Sequence, residues 1–386
     1  MSTTRVDTLH APPAVAGTPS LAAVARVGFW TLIVAHVVAG WGTQWDIQWH
    51  MRIGRDAFWI APHVMTYSGV TLMVLASWGM LAWTSWRALR GERAAGAWRV
   101  LGITGTRGWH LAAWAIVLTV LAAPIDDLWH RLFGLDVTLW SPPHLLGLLG
   151  AVLNAAAGWV IARETYPAGR CAREIGVVLS GALVAAGLSV SLQPAIRMAY
   201  VHGGVRFFTY GMLGALLLPL GLVVTARLSR WRTAPFLALL AMLAFGLAGS
   251  AVARAGFAWL QPPSFIGEEI ARDPTSPIAI SHEIARKNGV APGPSLRGLV
   301  VALLAAVALV AADARRRPLA ASVAFGLVLV AGVGLALARQ PAFAQSLPSP
   351  AETIVAVLVT ALAAAAGGVL ATRAGAILTD DPPRTA

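Results

Sequence analysis

Ten apolar runs, each near the length of a membrane-crossing helix, divide this chain into spans and short links. They lie at about 25–43, 63–85, 108–124, 144–164, 174–192, 207–226, 234–253, 296–312, 319–338 and 351–372. A helix rises about 1.5 Å per residue, so roughly 20 apolar residues cross a hydrocarbon core ~30 Å thick. Inside lipid every backbone N–H and C=O must find its partner within the protein, and only helices or closed barrels meet that demand. The expected fold class is therefore all-α: a polytopic membrane helical bundle of about ten transmembrane helices. Composition agrees. Only 12% of the 386 residues are charged, against about 25% in soluble domains.

The arginines orient the spans. Arg87, Arg90, Arg93, Arg99 and Arg107 crowd the link between spans two and three; Arg163, Arg170 and Arg173 follow span four. Arg227, Arg230 and Arg232 follow span six, and Arg315, Arg316 and Arg317 follow span eight. The alternation is regular, and short basic links face the cytoplasm. Both termini are then expected in the cytoplasm, and the links 44–62, 125–143, 193–206, 254–295 and 339–350 on the periplasmic or extracellular side of a cell inner membrane. The net charge of +12 is thus a topology signal, and nucleic acid is excluded as a partner. Residues 1–24 read as a disordered cytoplasmic tail without the apolar core of a signal peptide, and 374–386 as a second tail. Cys171 is the sole cysteine, which excludes a disulfide framework and a thiolate metal cluster.

Two outer links carry nearly the same pattern. Trp45-Asp46-Ile47-Gln48-Trp49-His50 is followed by Gly54, Asp56, Pro62 and His63. Ile125-Asp126-Asp127-Leu128-Trp129-His130 is followed by Gly134, Asp136, Pro143 and His144. The spacing differs by one residue before the last histidine. Span, motif and span thus form a hairpin twice over, so 25–165 reads as a duplicated metal-binding region. Residues 166–373, apolar and poor in chemistry, read as additional helices with a long outer loop at 254–295.

Asp46 and His50, like Asp126 and His130, are four apart, which on a helix puts them on one face. His63 and His144 each follow a proline, a residue favoured in a helix's first turn, and belong at the start of the next span. Gly54 and Gly134 are suited to the turn between. Each link then offers one carboxylate and two imidazoles. That set suits Cu, Zn, Fe or Ni and leaves coordination positions open, whereas closed structural zinc sites use four protein ligands. Asp56 and Asp136 are placed to orient an imidazole N–H. Trp49 and Trp129, each one residue before a motif histidine, and Arg55 complete the supporting set. Trp41, Trp45, Trp49, Trp59, Trp129 and Trp140 are expected in an interfacial belt. The competing readings of the motifs are a salt-bridge network that fastens the links, and an Asp–His proton relay without metal.

Other polar residues carry weaker signals. His36 lies inside span one and reads as a helix-packing residue; His110 reads as interfacial. Gln193, Arg197, Tyr200 and His202 read as anchoring more than as the mouth of a site. His282-Glu283 lacks a partner at ligand spacing and reads as surface.

At the paired motifs the chain resembles the C subunit of the particulate methane and ammonia monooxygenases, the copper membrane monooxygenases. That subunit carries Asp-x3-His-x12-His, matched here by Asp46, Trp49, His50, Arg55, Asp56, Pro62 and His63. It also carries Asn-x3-His-x13-His, matched in spacing by Asp126, His130 and His144, with Asp in place of Asn. The resemblance covers about residues 30–165. It implies one or two copper ions near the outer face and oxidation of a small hydrophobic substrate with O2. It also implies partner subunits, of which this chain has no cupredoxin equivalent. Monooxygenation needs two electrons, so a donor such as a quinol or a periplasmic carrier is expected. The alternatives are a copper or zinc transport, storage or delivery protein, and a non-catalytic subunit or homo-oligomer of a membrane complex.

Overall fold

The computed structural model describes residues 20–54, 57–133, 139–290 and 296–379. Helix dominates them. α1 (Leu21–Arg52) and α2 (Ala61–Leu89) form one antiparallel hairpin; α3 (Arg107–Phe133) and α4 (Pro142–Thr165) form a second. Between the hairpins lies a two-stranded antiparallel ribbon, β1 (Trp98–Val100) with β2 (Ile103–Gly105). Then follow α5 (Cys171–Val190), α6 (Pro194–His202), α7 (Thr209–Leu228), α8 (Ala234–Leu260), α9 (Ile266–Arg272), α10 (Pro277–Lys287), α11 (Leu296–Ala311), α12 (Pro318–Ala338) and α13 (Pro350–Thr379).

Nine helical segments among the described residues are long and apolar enough to cross a membrane. The chain is a multi-pass membrane protein in a lipid bilayer. The tenth expected span, 296–312, forms α11, of which 16 residues lie among those described. The ribbon was not expected. Gly96 and Gly102, both at positive φ, supply the left-handed turns that let this Arg-rich link fold back on itself. Expected tail boundaries shift as well. Ser20 caps α1 by accepting from the Ala23 N–H at 3.2 Å, so helix begins inside 1–24. α13 likewise runs to Thr379, inside 374–386. Residues 1–19 and 380–386 lie outside the described residues.

The duplication reaches into the helices. Asp126 and Thr119 follow Asp46 and Ala39 by 80 positions, while His144 and Gly150 follow His63 and Gly69 by 81. A methyl group on Gly69 would lie 2.6 Å from the Ala39 nitrogen and 2.7 Å from the Ala35 oxygen. One on Gly150 would lie 2.6 Å from the Thr119 nitrogen and 2.9 Å from the Ala115 oxygen. Both hairpins therefore cross at the same register, with α2 or α4 backbone resting directly on α1 or α3.

The hairpins pack side by side through α2 with α3 and α1 with α4; α5 joins α4 to α7 and α8, and α7 carries α12 and α13. The arginine-bearing ends converge. Arg107 donates to the Ile377 carbonyl at 2.6 Å and Arg163 to that of Leu378 at 3.0 Å, satisfying orphan carbonyls at the α13 C-terminus. Buried Glu174 accepts from the Ser229 hydroxyl at 2.6 Å and the Arg230 N–H at 2.8 Å, fixing the start of α5 to the link after α7.

The motif residues were expected in links, and this is corrected. Asp46 and His50 ride on the last two turns of α1, and Asp126 and His130 on the last turns of α3. Gln44 and Gln48 lower the local hydropathy, but the Gln44 amide donates to the Gly246 carbonyl at 3.0 Å and the Ser250 hydroxyl at 2.7 Å, both on α8. With its polar groups satisfied by a neighbour, the helix continues to Arg52. Gly54, at φ +78°, turns the chain.

Candidate metal centre

α1 and α2 each bring half of the first site. Proline in the first turn of α2, after Ile60 at its N-cap, places His63 facing the end of α1. The Nε2 atoms of His63 and His50 stand 3.1 Å and 3.7 Å from Oδ1 of Asp46. The second site repeats this. Ser141 is the N-cap of α4, and Pro142 and Pro143 open the helix. His130 Nε2 lies 3.2 Å from Asp126 Oδ2, and His144 Nε2 lies 3.4 Å from Asp126 Oδ1. In each trio one ligand atom per residue falls within 4.8 Å of the other two.

Two uses of these residues compete, an ion-pair network and metal ligation. A charge-assisted hydrogen bond closes to ~2.7–2.9 Å. Two donor atoms bound at about 2.0–2.1 Å to one tetrahedral ion stand roughly 3.3 Å apart. The four separations, 3.1–3.7 Å, bracket the second value, and at the second site the two imidazoles approach different oxygens of Asp126. Asp46 Oδ1 and Asp126 Oδ1 are moreover buried and accept no hydrogen bond, an arrangement that costs about 1–3 kcal/mol for a neutral group and more for an ionised one. The donor set and its spacing fit a transition-metal ion. The side chains of the six residues retain 19–31% exposure, so each site keeps a face toward solvent.

The supporting residues divide. Trp49 and Trp45 are buried, not in an interfacial belt. Trp49 stacks on Phe257 of α8 with ring centroids 5.8 Å apart, Trp45 meets the same ring edge-on at 6.3 Å, and the Arg52 guanidinium lies 4.9 Å above it. Trp41 and Trp140 turn their indole N–H groups inward, to the Phe245 and Ser191 carbonyls at 2.9 Å and 2.7 Å. Trp129 packs on Phe133 of its own helix. Only Trp59 of the expected belt is largely exposed. Asp56, Arg55, Gly134 and Asp136 lie outside the described residues.

One set of contacts was missed in the sequence: the segment after α8 is tied to the first site's hairpin. The Phe265 N–H donates to the Ile53 carbonyl at 2.8 Å, and the Ser264 hydroxyl to that of Arg52. His282, expected to be a surface residue, contacts the Met51 carbonyl through Nε2 at 2.7 Å. A carbonyl only accepts, so Nε2 carries the proton. α10 is held in turn by Lys287, which donates to the Tyr200 hydroxyl at 2.7 Å and pairs with Glu283 at 3.0 Å. Those two partners hold the ammonium above the ordinary lysine range. Tyr200 is thus an anchor, as expected of its cluster. His110 is buried, with Nε2 3.4 Å from the Trp98 carbonyl: it braces the ribbon. No sequence signal marks these pairings, because their partners lie from 12 to more than 200 positions apart.

An open apolar depression of about 190 Å³ adjoins this region, lined by Trp49, Ile53, Ile60, Pro262 and Phe265 among others. Trp49 and Ile60 stand one position before His50 and three before His63. Comparison with family models, with curated proteins and with solved structures finds no match to this chain.

Proposed function

We propose that this protein is a copper-binding membrane oxidoreductase, similar to a monooxygenase, that acts on a small hydrophobic substrate with O2 at the outer membrane face. The observation that carries the reading is the convergence of Asp46, His50 and His63, repeated by Asp126, His130 and His144. Two imidazoles and a carboxylate suit copper, zinc or iron. The preference for copper rests on the spacing shared with the C subunit of the copper membrane monooxygenases. Copper held there supplies one-electron redox chemistry and an open coordination position.

The chain's own residues would do the rest. Asp46 offsets cationic charge and sets the distance between the two imidazoles. His50 ends one helix and His63 begins the next, so the trio is complete only when the hairpin is closed. The open apolar depression beside Trp49 and Ile60, walled on one side by Pro262 to Phe265, would receive a small apolar molecule. Electrons would come from a quinol or a periplasmic carrier. The partial exposure of both trios favours a second reading, exchangeable binding for metal storage or delivery.

The test is O2 uptake by copper-loaded protein with a quinol and a short-chain hydrocarbon, with product followed by mass spectrometry under 18O2. Labelled product, absent in zinc-loaded protein and in His63→Ala, is expected. Stable copper loading without uptake would leave the storage reading standing and refute the oxidoreductase.

A further inference from the structure

Midway along α1, far from both carboxylates, His36 is buried against the thioether of Met73, with Nδ1 3.2 Å from Sδ. His36 stands ten residues before Asp46 on α1, and Met73 ten residues after His63 on α2. Ten residues of helix span about 15 Å, half the hydrocarbon thickness. With the trio at the membrane edge, the His36–Met73 pair sits near the bilayer midplane. Ionisable residues at that depth are expensive and mark function more often than packing.

The packing account leaves the pair half explained. Whichever tautomer His36 adopts, its Nε2 is buried with no hydrogen-bond partner. Ser77, one turn further along α2 and fully buried, also has an unpartnered hydroxyl. Each such group costs about 1–3 kcal/mol. The second hairpin avoids an imidazole at this depth. Its equivalents, 80 and 81 positions on, are Ile116 and Asn154; the Asn154 amide donates to the Ala112 carbonyl at 2.6 Å, while its Oδ1 is, like His36 Nε2, buried with no hydrogen-bond partner. Both hairpins thus carry a buried unpartnered polar atom at this depth, but only the first sets an imidazole against a thioether.

We propose that His36 and Met73 form a separate intramembrane site for a soft monovalent cation, Cu(I). Thioether sulfur selects Cu(I), and imidazole accompanies it. Both ligands are neutral, which suits a singly charged ion in a medium where a divalent one is far costlier to desolvate. Neither motif trio contains a sulfur donor, so the two kinds of site differ in the oxidation state they prefer. The close crossings of Gly42 on Thr66 and of Gly69 on Ala39 lie between them, and this packed backbone makes the sites independent. The inference stands whether or not the trios catalyse oxidation.

The experiment is an anaerobic Cu(I) titration of the full chain in nanodiscs against a colorimetric Cu(I) chelator, with sulfur ligation read by X-ray absorption. Wild type should bind one more equivalent of Cu(I) than Met73→Leu or His36→Phe, and the copper–sulfur scattering should vanish in Met73→Leu. Zn(II) retained by the motif trios in both variants reports an intact fold. Selenomethionine-labelled wild type gives a readout without mutation: a copper–selenium distance near 2.4 Å, on the order of the metal–sulfur bond. Equal Cu(I) equivalents in all three proteins, or no selenium neighbour, would overturn the proposal and leave a hydrogen-bonded packing pair.

Discussion

Asp46 and Asp126 each face two imidazoles. An ionised ligand forms contacts roughly twice as strong as a neutral amide's. Asp126→Asn should therefore weaken divalent-metal binding at the second trio by about tenfold or more while leaving the first unchanged. Isothermal titration of both proteins checks this; an equal loss at both would make them one shared centre. At this scale the sequence was informative where chemistry is local. Asp-x3-His is one helical turn, and Pro-His marks a helix start, so the convergence of all six residues was legible. His36 with Met73 and His282 with the Met51 carbonyl were not. Tertiary packing alone brings residues 37 and 231 positions apart into contact, and no periodicity encodes it.

Each hairpin is one element pair closed by a glycine on backbone. Adding a branched side chain at Gly69 or Gly150 forces the helices apart, since a single added methyl already meets backbone atoms at 2.6–2.9 Å. Overpacking of this kind costs about 1–3 kcal/mol. Gly69→Val should lower thermal stability and separate His63 from Asp46, losing metal at the first trio alone; Gly150→Val should do the same to the second. Metal content beside a thermal melt checks both, and loss at both trios from either variant would contradict the independent-hairpin picture. The spans themselves were readable because lipid demands helix. Their ends were not, because hydropathy treats Gln44 as a terminator while α8 supplies its hydrogen bonds.

For the whole molecule, the arginine-bearing ends meet at the α13 C-terminus, and the trios lie toward the other end of the hairpins. Cys171, exposed at the arginine end and the only thiol, reports which way the bundle sits. In intact spheroplasts a membrane-impermeant maleimide should leave it unlabelled, and in inverted vesicles it should label it fully. The opposite pattern would put the trios on the cytoplasmic side and remove the periplasmic reading. The ribbon of β1 and β2 was not legible, since three-residue strands between glycines leave no pattern in hydropathy.

We propose that this chain holds two carboxylate–imidazole metal sites of the same construction. Metal content per chain by mass spectrometry, on copper-loaded wild type, His63→Ala, His144→Ala and the double variant, tests it most directly, with Cu(II) electron paramagnetic resonance to identify nitrogen ligands. Two Cu(II) ions, one, one and none are expected, each with an imidazole signature. Undiminished copper in the double variant, or none in wild type, would contradict it.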